Sequence, residues 1–286
     1  MYVDLHAHTT ASDGTFTPTE LVHAAKQAGV SILAVTDHDT VAGVAEAQRA
    51  AAEVGLTLVP GVELSAQHRP GDLHLLGLFI DPQDATLNTR LAELSAKRAT
   101  RNERMAKRLT ELGAPITLEE VIAAAPPGAN IGRPHFAAVL IQKGYVTTNR
   151  EAFEQYLADD APGYVSRDNL PPAEAIALVH AAGGKCFIAH PGLMRFHQHE
   201  NIELIVRRLV DVGLDGLEVY YSKYTPSQTS EFLRLAKKYK LLLTGGSDFH
   251  GANKPDVPLG RVTDGARLPV ERLSETLRTW NLYKEA

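Results

Sequence analysis

Tyr2-Val3-Asp4-Leu5-His6-Ala7-His8 is a short β-rich run that ends on two histidines, with a carboxylate, Asp13, in the loop that follows. The pattern recurs along the chain. Ile32–Thr36 runs into Asp37-His38-Asp39, Thr57–Leu64 carries Glu63 at its end, Cys186–His190 ends on His190-Pro191, and Leu241–Ser247 runs into Asp248-Phe249-His250. Leu73–Ile80 and Gly216–Tyr221 complete seven candidate strands, rich in Val, Ile, Leu or Tyr and mostly bounded by Gly, Pro, Asp or Ser. Punctuated helices separate most of them. Thr17-Pro18-Thr19-Glu20 reads as a capping box with Pro at the first helical position, and that helix stops at Gly29. Val41–Val54 ends at Gly55, Pro172–Ala182 at Gly183, and Asn201–Val212 at Gly213, while Pro226–Tyr239 follows a capping Thr225. Strand–helix alternation of this kind predicts an α/β fold with a parallel sheet or barrel. In a parallel barrel the strand ends converge on one rim.

His74 starts its strand instead of ending it. About ten residues separate it from Glu63, too few for a helical crossover. An antiparallel hairpin is therefore expected, which returns His74 to the same rim. Nine candidate ligands result: His6, His8, Asp13, His38, Glu63, His74, His190, Asp248 and His250. All offer nitrogen or carboxylate oxygen, a set suited to Mn, Zn, Fe or Co and unlike a structural zinc site. Nine are too many for one ion. A lone His-x-His or strand-end Asp would be weak; the weight lies in the same residue types ending strand after strand. His23 and His180, on helices, and His68, His197 and His199, in loops, are read as solvated or locally bonded. Asp37 is expected to orient His38, Asp39 to cap the next helix, and Asp4 to sit behind the ligands.

The 286 residues suffice for one barrel-sized domain with an insertion. The net charge of −5 provides no basic field for duplex DNA, and the single cysteine, Cys186, excludes an intrachain disulfide or a thiolate cluster. No leader and no apolar run of roughly 18 residues is seen, so a cytoplasmic protein without membrane association is expected. No obligate protein partner is evident. From about Leu87 to Asn169 helices replace strands: Leu91–Leu112 with Arg98, Arg101, Arg104 and Arg108, a capping box at Thr117–Glu120, then His135–Gln142 and Arg150–Ala158. The expected division is a barrel of 1–86 and 170–286 with a helical insertion, 87–169, overhanging the rim as a substrate lid. Arg133 and His135 lie in a turn before a helix, where an anion is favoured. Arg101 and Asn102 share a helix face with Arg98, and Lys223 follows Tyr220 and Tyr221. These local cations, on a chain of acidic net charge, favour a small anionic substrate or short oligonucleotide over duplex DNA.

The motifs Asp4-Leu5-His6-Ala7-His8, Thr36-Asp37-His38-Asp39, Gly61-Val62-Glu63, His74, Ala189-His190-Pro191 and Gly246-Ser247-Asp248-Phe249-His250 together resemble the PHP (polymerase and histidinol phosphatase) family, over nearly the whole chain. The resemblance implies a distorted (β/α)7 barrel holding two or three divalent ions, Mn first, with Zn, Fe or Co as alternatives. It implies one ion on His6, His8, Glu63 and Asp248. Glu63 would bridge to a second ion held with His74 and His190, and Asp13, His38 and His250 would hold a third. Asp13 and His250 would also face the substrate, and Asp248 would orient the attacking, metal-bridging hydroxide. Gly132-Arg133-Pro134-His135-Phe136 and Glu218-Val219-Tyr220-Tyr221-Ser222-Lys223-Tyr224 resemble the subgroup that removes the 3′-phosphate of nucleoside 3′,5′-bisphosphates, converting pAp to AMP, some members also trimming short RNA from the 5′ end. The alternatives are a histidinol phosphate phosphatase, a C–N hydrolase, or a non-catalytic metal-binding module.

Overall fold

The structure is a computed structural model that describes residues 1–166 and 168–283; the last three residues of the expected barrel segment lie outside the described residues. Seven strands form: β1 (Tyr2–Asp4), β2 (Val30–Val35), β3 (Thr57–Gln67), β4 (Asp72–Leu78), β5 (Lys185–Ile188), β6 (Gly216–Tyr221) and β7 (Leu242–Gly246). They lie in sequential order in one sheet. β1–β2–β3 and β5–β6–β7 are parallel, and only β4 runs against both its neighbours. This is the expected α/β barrel with one reversed strand. The reversal places Ser65 opposite His74. Because side chains alternate along a strand, Glu63, Ser65 and His74 share one face.

Closure is made between the first and last strands. Leu5 N–H donates to the Gly245 carbonyl at 3.0 Å, Asp248 N–H to the His6 carbonyl at 2.8 Å, and Ala7 bridges Phe249 in parallel. The seam needs a glycine. A Cβ on Gly246 would lie 2.4 Å from the His6 nitrogen and 2.5 Å from its Cβ.

Helices α1 (Pro18–Gln27) and α2 (Val44–Val54) pack an apolar cluster against β2. The capping box of Thr17 and Glu20 forms as read, and α2 ends on left-handed Gly55. α2 starts later than Val41 because Thr40 Oγ1 accepts from Ala42 N–H and holds that stretch as a turn. Between β4 and β5 lie α3 (Ala85–Glu111), α4 (Leu118–Ala124), α5 (Arg133–Gln142) and α6 (Asn149–Ala152), the last continuing into a π-helical turn at Phe153–Leu157. The 27-residue α3 starts earlier than expected, because Asp84 accepts from Leu87 N–H at 2.7 Å and caps it. Its first turns, Leu87, Leu91 and Leu94, belong to the barrel core. Met105 and Leu109 belong to a separate cluster with Val121, Phe136, Leu140 and Leu157. One continuous helix therefore ties the inserted segment to the barrel. α7 (Pro172–Ala181), α8 (Ile202–Val210) and α9 (Pro226–Tyr239) precede β5, β6 and β7, and α10 (Ser274–Arg278) follows. Among the described residues, no helix is long and apolar enough to cross a membrane.

Since a Cβ at Gly246 would meet the His6 nitrogen and Cβ and the Asp4 carboxylate, Gly246→Ala must displace β1. The expected loss is about 1–3 kcal/mol, the usual cost of overpacking. It reads out as a lower urea midpoint at unchanged slope; an unchanged midpoint would mean that the seam tolerates separation.

Candidate active site

The nine candidate ligands come together at one end of the barrel, around the carboxylate of Glu63. Its Oε2 faces His8 Nε2 at 3.1 Å, His38 Nδ1 at 3.2 Å and His6 Nε2 at 3.3 Å. Its Oε1 faces His74 Nδ1 and His190 Nε2, each at 2.9 Å. Asp248 Oδ1 lies 3.4 Å from His8 Nε2 and 3.6 Å from His6 Nε2. Asp13 stands on the far side, 3.3 Å from His250 Nε2 and 3.8 Å from His38 Nε2. Three overlapping sets of donor atoms are compact enough for an ion: His6, His8, Glu63 and Asp248; His38, Glu63 and His74; and His8, Asp13, His38 and His250. The first repeats the expected group. In the second, His38 stands beside Glu63 and His74 where His190 is expected, and in the third His8 joins Asp13, His38 and His250.

The chemistry of this donor set fits divalent cations. His6 Nε2 and His8 Nε2 point at each other across 3.2 Å, a contact that needs a proton or a cation between two lone pairs. Without a cation, the carboxylates hold protons on His6 and His8, while burial keeps His38 and His250 below the usual imidazole range. Burial opposes charge on His8, yet hydrogen bonds that it donates to Asp248 and Glu63 push it up to about 9. His6 is likewise raised, against burial, by Glu218, Glu63 and Asp248. Burial also opposes ionisation of the three carboxylates, and it loses. Glu63 is held well below the usual range by His38, His6 and His74, Asp13 by His250 and His38, and Asp248 by Lys254 and His250.

A surrounding layer aims these groups. Glu218 accepts from His6 Nδ1 at 3.0 Å, which leaves Nε2 turned inward, and its other oxygen accepts from His190 N–H at 2.6 Å. Asp248 Oδ2 accepts from Tyr221 O–H at 2.8 Å and from Lys254 Nζ at 2.6 Å, which leaves Oδ1 facing the histidines. Asp4 lies behind the ligands as expected: it accepts from His6 N–H, from Ser247 N–H and Oγ, and from Gly260 N–H. Asp37 and Asp39 behave otherwise than read. Asp37 accepts from Thr9 N–H and Oγ1 and from Ser12 Oγ, so it shapes the Asp13 loop and does not orient His38. Asp39 accepts from Ser65 N–H and pairs with Arg98, while α2 begins without a side-chain cap. His190, Asp248 and Asp39 all adopt left-handed backbone at φ 28°, 58° and 51°. Such conformations in non-glycine residues gather where a site over-determines them.

Above the rim lies a cleft of about 230 Å³, whose walls include Arg98, Arg101, Arg133, Phe153, Tyr164 and Lys254. Arg133 donates to Asp159 at 2.6 Å and to the Leu157 carbonyl, with its guanidinium 5.5 Å from the Tyr164 ring centre. Asn102 and His135 stand behind this wall. Asn102 donates to the Ile131 carbonyl, and His135 Nδ1 accepts from Gly132 N–H at the start of α5. Lys223 pairs with Asp256 and is not among the residues lining the cleft. His180 pairs with Asp215, and His68 bonds the Arg195 carbonyl, away from the ligands as read. Sequence reasoning missed Lys254, Tyr221 and Glu218. The available signals were a lysine in the loop after Asp248-Phe249-His250 and a carboxylate inside the apolar run of β6.

Comparison with known proteins agrees with this geometry. Residues 4–164 match the PHP domain. The chain belongs to the PHP domain family. A 5′-3′ exoribonuclease from Haemophilus influenzae is 37% identical over 250 residues, spanning 86% of this chain and 89% of that protein. A 3′,5′-nucleoside bisphosphate phosphatase from Chromobacterium violaceum is 33% identical, spanning 92% of each. A solved structure of an amidohydrolase from Chromobacterium violaceum, with bound sulfate and no metal, matches with a TM-score of 0.86 at 32% identity, covering 95% of each chain. Within the PHP family this chain is a metal-dependent phosphoesterase, a hydrolase whose buried His, Asp and Glu clusters suggest several metal sites.

Glu63→Gln keeps the shape of the shared carboxylate but removes its charge. Purified after Mn²⁺ loading, this PHP variant is expected to hold at least one equivalent of metal less than wild type by elemental analysis, with an unchanged circular dichroism spectrum. Full metal content would remove Glu63 from the ligand set.

Proposed function

We propose that the protein hydrolyses the 3′-phosphate of nucleoside 3′,5′-bisphosphates, releasing AMP and phosphate from pAp, and acts on short 5′-phosphorylated oligoribonucleotides. The observation that carries this reading is the meeting of a histidine–carboxylate floor with an arginine wall in one cleft of mononucleotide scale. The names of two relatives, a bisphosphate phosphatase and an exoribonuclease, point the same way. A solved Chromobacterium violaceum structure of the same fold holds a sulfate. That last protein is called an amidohydrolase, which keeps C–N hydrolysis as the second reading. Arg101 and Arg133 favour a phosphate.

In this reading His6, His8, Glu63 and Asp248 hold one ion, Glu63, His74 and His190 a second, and Asp13, His38 and His250 a third. Bound Mn²⁺, or Zn, Fe or Co, supplies Lewis acidity that ionises water near neutral pH and offsets phosphoryl charge. The chain's own groups do the rest. Asp248, its outer oxygen fixed by Tyr221 and Lys254, accepts a hydrogen bond from the attacking water and orients it. Lys254, Arg101 and Arg133 surround the phosphoryl oxygens with fixed positive charge, which matters most as charge grows in the transition state. Phe153 and Tyr164 offer the base apolar faces to stack on. The segment 87–169 acts as the lid, and α3 sets its height above the rim.

Phosphate release from pAp, AMP, 3′-AMP and histidinol phosphate tests the reading directly. pAp is expected to be strongly preferred, and a preference for histidinol phosphate would overturn it. Asp248→Ala is expected to lower kcat for pAp by about 100-fold or more. Arg133→Ala is expected to raise KM by roughly tenfold, the value of a charge-assisted hydrogen bond; an unchanged KM would sink the Arg133 role.

A further inference from the structure

The candidate metal centre opens on two sides. The first opening is the cleft between the lid and Lys254. The second lies beyond His74 and His190: a passage of about 170 Å³ lined by both histidines, Leu193, Met194 and Arg195. Arg133 and Asp159, paired at 2.6 Å, form its wall toward the lid. The passage shares Gly71, Asp159 and Arg195 with a groove of about 810 Å³ between the β3–β4 loop and the segment after β5.

A phosphomonoester has one ester arm and needs one opening. A phosphodiester has two, and the second arm must leave the centre. We propose that the passage and groove beyond His190 bind the polynucleotide strand that continues past the reacting phosphate. This rests on the phosphoesterase reading above and adds where the remainder of an oligonucleotide lies. In the first cleft sits the 5′-terminal nucleotide. Water oxygen bonds to phosphorus as the bond to that nucleotide's 3′ oxygen breaks, and the 3′ oxygen takes up a proton. The products are a nucleoside 5′-phosphate and a shorter strand that keeps the phosphate at its new 5′ end. That strand is again a substrate.

The surface suits a single strand. Leu193 is 52% exposed, a large apolar side chain at the mouth of the passage, and Met194 is beside it. Arg195 follows, and Arg69 and His197 line the groove beyond, with Asp159 and Asp160 held by Arg133 and Arg195 and Asp168 at its edge. Apolar faces next to cations match the bases and phosphates of a nucleic acid. The wall is pinned, since His68 bonds the Arg195 carbonyl at 2.7 Å and packs edge-on against Phe196. Arg195 meets exposed Asp160 at 3.5 Å, a surface pair that a phosphate can replace. Tyr164 lines both the first cleft and the groove, giving the two a common aromatic wall.

The test compares Mn²⁺-loaded wild type with Arg195→Ala and Leu193→Ser on pAp and on a 5′-phosphorylated hexaribonucleotide. Each variant is expected to keep kcat/KM for pAp within about twofold and to lose about fivefold or more on the hexanucleotide, the low end for one stacked base. Equal losses on both substrates, or none on either, would overturn the groove. If wild type leaves the hexaribonucleotide intact, whether or not it hydrolyses pAp, fluorescence anisotropy of the labelled hexaribonucleotide separates the two ideas. Weaker binding by Arg195→Ala than by wild type keeps the groove while the proposed reaction falls, and identical binding or none overturns the groove itself.

Discussion

The carboxylate of Glu63 is fully buried and faces five imidazole nitrogens, three on one oxygen and two on the other. A single ionised group at the centre of so many donors divides them into two neighbouring sets, as a shared ligand between two cations would. The rest of the architecture follows from bringing β3 to that point. The antiparallel return of β4 puts His74 on Glu63's face, and the parallel bridge between His38 and Glu63 delivers the ligand from β2. Closure of β1 against β7 brings His6 and His8 to the same carboxylate, with Asp248 following on the β7 side.

Such a concentration of like groups stands only when each is held. Glu218 and Asp4 carry no direct place among the ligands, yet they fix His6, the His190 backbone and the start of the Asp248 turn. Left-handed backbone at His190 and Asp248 is of the kind that costs of order 1–3 kcal/mol each. Hydrogen bonds across the β1–β7 seam and to Glu218 offset it. The inserted helical segment is coupled to the same frame because α3 starts in the barrel core and ends in the helical cluster. Arg98 on that helix pairs with Asp39, two residues beyond the backbone of Asp37 that meets Glu63. The inserted segment and the floor of the site thus share covalent and ionic connections.

Much of this was readable from residues alone. Strand-ending His, Asp and Glu residues are visible because the apolar runs and glycine stops mark where each strand ends. His74 was placed by loop length, which forbids a crossover. Other features depend on turn geometry that no periodicity encodes. Asp39 lies in left-handed backbone that swings it to Ser65 and Arg98, so its helix-capping reading fails. β6 is buried on both faces, and alternation cannot tell that Glu218 points to the centre. Lys254 and Lys223 are both loop cations, and only the fold shows that one reaches Asp248 and the other Asp256.

On the proposed reading, Glu63 is shared between two cations. Anomalous diffraction from crystals of the Mn²⁺-loaded protein locates those cations. At least two peaks are expected, both within coordination distance of Glu63, one on the side of His6 and His8 and one on the side of His74 and His190. A single peak, or peaks that leave Glu63 uncoordinated, would contradict the account.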